Sequence, residues 1–227
     1  MPNHVSNFLT VHGPKEDLAR FKYVVDSNSN HMKAYDIMRL TADVERLTKD
    51  LHTNVYPYLR TQLEEAKELL GKLKAGLVVE DASPLRFEGT VPMPEELEGI
   101  SAPAPDDEDS QQRVRMFGAK DWYDWKIKFW GTKWGAYDAN REERANGAEL
   151  FYRFSTAWSA PTEWLLGTSK VFPTLSFELT SADPAMDWYL QFKIRNGNKL
   201  RETELSMEEY ASEWDPGLLE TDEEEVA

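Results

Sequence analysis

Residues 149–158 read ELFYRFSTAW. Leu150, Tyr152, Phe154 and Thr156 alternate with Phe151, Arg153 and Ser155, so the period here is two and the segment is a strand whose two faces meet different surroundings. Upstream, WGAYDANREE at 134–143 is a weaker strand, and Asn146-Gly147 supplies the positive φ that closes the two into a hairpin. Downstream, Pro161 opens a helix over TEWLLGTSKVF with Ser159 as its expected cap. Two more strands follow, Leu175 to Leu179 and Trp188 to Ile194, separated by a loop holding Pro184 and ended by Asn196-Gly197.

Toward the N-terminus, NFLTV at 7–11 is a short strand broken by Gly13 and Pro14. Leu18, Phe21, Val24 and Val25 then share one helical face. Helical spacing resumes from about His31 to Asp50 and again through Leu59, Leu63, Leu69, Leu70 and Leu73, with Pro57 opening the second helix of a hairpin. Residues 82–109 hold five prolines and the cluster DDED, which predicts a flexible loop over 101–109. Trp122, Trp125 and Phe129 then mark an amphipathic helix with Gly131 as its C-cap.

The order is β, α, an insertion, β, β, α, β, β. With the insertion set aside, this approximates the split βαβ arrangement, in which helices cover one face of an antiparallel sheet. The expected fold class is therefore α+β, a ferredoxin-like sheet covered by helices. Its domain spans 1–29 and 82–200, with an inserted α-helical hairpin at 30–81 and an acidic C-terminal tail at 201–227.

Composition narrows the function classes. The chain of 227 residues is 41% hydrophobic and 12% aromatic, enough to build a buried core. Its charge of −15 is uneven: residues 202–227 carry eleven acids and residues 87–112 eight, with no base in either stretch. Without them the body stands at +4, so the acidity belongs to a linker and a tail. A solvated tail that maintains solubility is the first reading; an acidic strip imitating a phosphate backbone is the second.

No cysteine is present, which removes disulfides and a thiol nucleophile and fits a reducing cytosol. MPNHVSNFLTVHG lacks the features of a signal peptide, and no run of about 18 apolar residues occurs. The expectation is a cytoplasmic protein with no membrane association. His4, His12, His31 and His52 have no metal-ligand spacing, so neither a metal nor a cofactor is expected. Asp121, Asp124 and Asp138 read as solvated surface acids rather than a catalytic pair, and no phosphate-cradling or nucleophile-elbow motif is present. No catalytic residue is assigned.

Five ordered blocks add to this reading. MPNxxSNxLTVxGP at the start, VPMPEEL at 91–97, WGTKWxAYD at 130–138, FxTAWSxP at 154–161 and FPTLSFEL at 172–179 resemble the YubB-type ferredoxin-like proteins of phages, plasmids and other mobile elements. The likeness covers about two thirds of the chain. It implies the ferredoxin-like fold and a mobile-element origin, and brings no reaction with it. The chain departs from the family pattern at His4-Val5, Gly135 and Ser155, so no role resting on family acids carries over to those positions.

The candidate site is the ring cluster. Trp130, Trp134, Trp158 and Trp164 are expected to gather where the 130–138 loop meets the helix after Pro161, with Lys133, Tyr137, Asp138 and Arg153 beside them. Such rings serve either as core or as a platform that stacks a base, a sugar or a partner's side chain. The functional expectation is a non-enzymatic accessory protein that binds a host or element-encoded protein, with a defence or nucleic-acid-processing factor as its target. Two alternatives stand beside it: a nucleotide- or sugar-binding protein or enzyme using the Trp130/Trp134/Trp158 cleft, and an acidic nucleic-acid mimic. Direct nucleic-acid binding is not expected, because no RNA-recognition motif is present and the acidic tail repels phosphates. Oligomeric state is not legible.

Overall fold

The structure is a computed structural model that describes residues 3–53, 57–76 and 82–219. Six strands form one sheet: β1 (His4–His12), β2 (Tyr137–Arg144), β3 (Glu149–Ala157), β4 (Ser176–Asp183), β5 (Trp188–Arg195) and β6 (Asn198–Glu204). Their spatial order is β2-β3-β1-β4-β5-β6, with antiparallel pairing at each step. The chain leaves β1, passes through a helical segment and returns as β2 on the far side of β3. It then leaves β3, passes through α6 (Thr162–Val171) and returns as β4 on the far side of β1. Those two interleaved crossovers define the ferredoxin-like α+β fold, here extended at one edge by β5 and β6.

Alternation built these strands as the sequence predicts. Leu150, Tyr152 and Phe154 of β3, Leu9 and Val11 of β1 and Phe177 and Leu179 of β4 all enter one core, beneath α1 (Lys15–Val25) and α6. Phe21 of α1 meets Tyr152, Phe172 and Phe177 edge-on at centroid distances of 5.6–6.0 Å. Each such ring pair adds about 0.5–1.5 kcal/mol beyond area burial.

The proline-rich 82–109 stretch contributes directly to that core, upstream of the segment expected as a flexible loop. Leu85, Phe87 and Leu97 are fully buried, and Phe87 stacks on Trp164 at 4.2 Å. Gly89 is required where this strap crosses the end of α1, because a β-carbon there would stand 1.9 Å from the Val24 carbonyl oxygen. Prolines and acids dominate the segment's composition, while three scattered apolar residues set its position. A helix unforeseen in the sequence, α4 (Glu108–Phe117), follows, capped by the Asp107 carboxylate on the Ser110 N–H at 2.8 Å.

α5 (Trp122–Trp130) ends at Gly131, whose φ of +80° is the left-handed C-cap that the sequence predicts. Its N-cap is Asp121, which accepts from the N–H groups of Tyr123 and Asp124 and, through its other oxygen, from that of Ala104. Asp121 is fully buried, which corrects its reading as a solvated surface acid: three backbone donors supply what water would.

The inserted hairpin comprises α2 (Asn30–Thr53) and α3 (Pro57–Lys74). Its outer part holds a small core of Leu47, Leu59 and Leu63, whereas its base joins the domain. There Met32 is fully buried, the Arg86 guanidinium meets both Asp36 oxygens at 2.6 and 2.8 Å, and Arg39 lies 3.6 Å from Glu98.

Past residue 200 the chain is folded as far as it is described. It completes β6 and then forms α7 (Met207–Trp214), opened by a Ser206/Glu209 capping box. Tyr210 and Trp214 of α7 pack on Phe8, Phe151 and Tyr189, covering part of the sheet face opposite α1 and α6. The acidic residues of 202–215 therefore decorate a strand and a packed helix; 220–227 lie outside the described residues.

Candidate recognition site beside the inserted hairpin

The ring cluster divides in two. Trp130 and Trp164 are core residues, at most 1% exposed. The Trp130 indole donates to the Val91 carbonyl at 2.9 Å, and the Trp164 indole to Thr90 Oγ1 at 2.9 Å and to the Phe87 carbonyl at 3.2 Å. Both fasten the 85–97 strap to the helical layer, so neither is offered to a ligand.

Trp134 and Trp158, by contrast, are 39% and 42% exposed. The Lys133 ammonium lies between them, 5.0 Å from one ring centroid and 4.9 Å from the other. Tyr123 meets Trp158 edge-on at 6.3 Å. The result is an outward-facing platform of two indoles bridged by a cation.

Trp158 holds this position at φ +74°, in the left-handed region that suits glycine. A residue with a β-carbon is disfavoured there by about 1–2 kcal/mol, so its neighbours must impose the conformation. They do so through buried hydroxyls and amides. Ser181 Oγ donates to Asn7 Oδ1 at 2.7 Å, Asn7 Nδ2 donates to Thr156 Oγ1 at 2.9 Å, and Thr156 Oγ1 donates to the Ser159 carbonyl at 2.8 Å. Ser159 Oγ then donates to the Gly131 carbonyl, and Thr132 Oγ1 to that of Trp134. The Trp158 N–H itself donates to the Asn3 carbonyl at 3.0 Å. Asn7, Thr132, Thr156 and Ser181 are all fully buried, so this spine ties both indole-bearing loops to the centre of the sheet. Ser159, expected to cap α6, is committed to Gly131, and α6 begins at Thr162 with Pro161 in the N-cap position and no side-chain cap.

The remaining sequence-predicted residues scatter. Tyr137 donates to the Thr156 carbonyl at 3.1 Å and meets His4 Nδ1 at 2.6 Å, which anchors β2 beside the platform. Burial, and then the Asp138 charge, raise its phenol pKa. Asp138 is exposed at φ +50°, in the irregular part of the β2–β3 pairing. Arg153 lies elsewhere: its guanidinium is 5.3 Å from the Phe8 ring, on the sheet face that α7 covers. The alternation that made 149–158 a strand also carries Arg153 away from Trp158.

Trp134 and Tyr137 also line a cleft of about 560 Å³ between the domain and the base of the hairpin. Leu40, Leu69 and Leu73 form its apolar side. Its charged groups are Lys33, Arg39 and Arg86 against Asp36 and Glu88. Burial works against the Arg86 charge, but Glu88 and Asp36 outweigh it and raise its pKa. On the far side of Arg39, Tyr35 is pushed up to about 12 by burial and by Glu88 and Glu98, and burial raises Glu98 despite Arg39. Among the described residues no cluster of three or more His, Cys, Asp or Glu side chains is arranged to hold a metal. No described helix is long and apolar enough to cross a membrane.

No family model matches the chain, and no curated protein matches it. A solved structure that resembles it is the crystal structure of the protein api92 from Yersinia pseudotuberculosis, described by the family model DUF1281. The TM-score is 0.50 at 12% identity, covering 91% of this chain and 99% of that one. At that identity the likeness is one of fold.

Proposed function

We propose that this chain is a non-enzymatic accessory protein of a phage or plasmid that binds a host or element-encoded protein through the Trp134–Lys133–Trp158 platform, with a defence or nucleic-acid-processing factor as its target. The observation that carries the reading is Trp158. A bulky residue occupies a backbone conformation that glycine would adopt without cost, and 42% of it is exposed. Packing alone would favour glycine or an inward ring, so the strain is explained by what the ring does outside the fold. Tryptophan is among the residues that dominate binding energy at protein interfaces, and an ammonium already seated on both indoles leaves little ordering to be done on binding. The mobile-element part of the reading rests on the five sequence blocks, three of which surround this platform or its supports: WGTKWxAYD, FxTAWSxP and the strand carrying Asn7.

The test is affinity capture from the native host with wild-type protein and with Trp158→Gly. Glycine relieves the backbone strain and deletes the ring, so the variant stays folded and loses the platform. The expected result is a stoichiometric partner held by wild type and absent with the variant. A partner retained equally by folded Trp158→Gly would refute the reading.

A further inference from the structure

The cleft at the hairpin base has a charge opposite to that of the chain. The protein carries −15 overall, yet the cleft sets three cations against two acids. Arg86 is engaged by Asp36 and faces Glu88 at 3.6 Å. Lys33 has no acid within ion-pair distance among the described residues, and Arg39 has Glu98 at 3.6 Å, beyond hydrogen-bond distance. Two cations are thus left without a hydrogen-bonded acceptor from the described residues. Across the cleft stands the Trp134 indole. Lys133, which sits over that ring, is not among the cleft residues. Leu69 and Leu73 continue the apolar wall, and the Asn28 carboxamide at the margin has no partner among the described residues.

A partly exposed indole, an apolar wall, a free carboxamide and two cations without a hydrogen-bonded acceptor in one space form a recognisable set. The geometry points to a binding site for a nucleoside monophosphate, with the base stacked on Trp134 and the phosphate held by Lys33 and Arg39. The cleft volume of about 560 Å³ lies within the range of roughly 300–1,000 Å³ typical of small-ligand sites. Stacking on an indole is tolerant of base identity, since every base has a π-face, so the set specifies a nucleotide without specifying which one. Both walls contribute: Lys33 and Arg39 belong to α2, and Trp134 to the loop before β2. The ligand therefore ties the inserted hairpin to the domain, directly beside the outward platform.

Isothermal titration calorimetry on the full-length protein, with AMP, ribose 5-phosphate and a 5′-phosphorylated hexanucleotide, tests the assignment. AMP is expected to saturate a single site and to bind more tightly than ribose 5-phosphate. Lys33→Ala should weaken both by about tenfold, as loss of a charge-assisted contact requires. Trp134→Ala should bring AMP down to the level of ribose 5-phosphate while leaving the latter unchanged. Trp158→Gly, which lies outside the cleft, should leave AMP binding intact even though it removes the outward platform, so the two proposals fail separately. Absence of AMP binding at millimolar concentration, or AMP affinity unaltered in Lys33→Ala, would overturn the site. Tighter binding of the hexanucleotide than of AMP would overturn the assignment to a free mononucleotide, and equal or weaker binding supports it.

Discussion

Replacing Trp158 by alanine and by glycine separates the ring from the backbone that presents it. Both substitutions delete the same half-buried indole, together with its contacts to Lys133 and Tyr123, a common loss of about 1–2 kcal/mol. They differ in what remains at φ +74°. Alanine keeps a β-carbon in the left-handed region at a cost of about 1–2 kcal/mol, and glycine does not. Against this, glycine gives a looser unfolded chain, which takes back about 0.4–1 kcal/mol. The difference is about 0.5–1 kcal/mol in favour of glycine, the reverse of the usual order in regular structure, where alanine is ahead by a similar amount. For a chain of 227 residues, about 1 kcal/mol moves the melting temperature by roughly 2–4 °C. Thermal melts followed by far-ultraviolet circular dichroism, with urea titrations beside them, resolve a difference of that size. Trp158→Gly melting above Trp158→Ala supports the argument. Alanine melting above glycine would refute the strain, and with it the inference from strain to function.

Two further outcomes follow from the same network and from the ionisable groups at the hairpin base. Thr156→Val keeps the shape but leaves the half-buried Ser159 carbonyl without its donor and the buried Asn7 with one partner fewer. It should cost about 1–3 kcal/mol in urea denaturation and should alter Trp158 emission, whereas unchanged stability would mean that the spine does not hold the loop. Tyr35 ionises at about 12 in the folded protein against 10.0 for a free phenol, so the unfolded chain gives up its proton first. Its contribution to stability is intact below pH 10 and is lost as pH rises toward 12. Tyr35→Phe should therefore lose less stability than wild type across that interval, and parallel profiles would remove Tyr35 from the account.

The sheet was legible because its strands alternate where they face two environments, and the glycine after Trp130 was legible because a C-cap is a local requirement. β6 was not: NKLRETE at 198–204 is exposed along most of its length, so no apolar alternation marks it, and its place comes from pairing with β5. The 85–97 strap was hidden by its prolines and acids, since Leu85, Phe87 and Leu97 follow no period and are placed by the indoles they meet. α7 was hidden by the acid content of its surroundings, although the Ser206/Glu209 spacing was a readable capping box.

At the site, the sequence supplied the tryptophans but not their division. Trp130 and Trp164 differ from Trp134 and Trp158 only in what lies across from them, and that is fixed by the strap. The supports Thr132, Thr156 and Ser159 left a faint signal, small polar residues flanking the rings in GTKW and TAWS. Lys33, Arg39 and Arg86 left none, because the cleft they line exists only once the hairpin has docked.

The central claim is that two of the eight tryptophans face outward to be covered by a partner. Fluorine NMR of protein labelled with 5-fluorotryptophan, its lines assigned by single substitution, tests this directly. The Trp134 and Trp158 lines should show the largest H2O-to-D2O isotope shifts in the free protein and should be the lines that move when the captured partner is added. A partner that moves the Trp188 or Trp214 lines and leaves Trp134 and Trp158 in place would contradict the account.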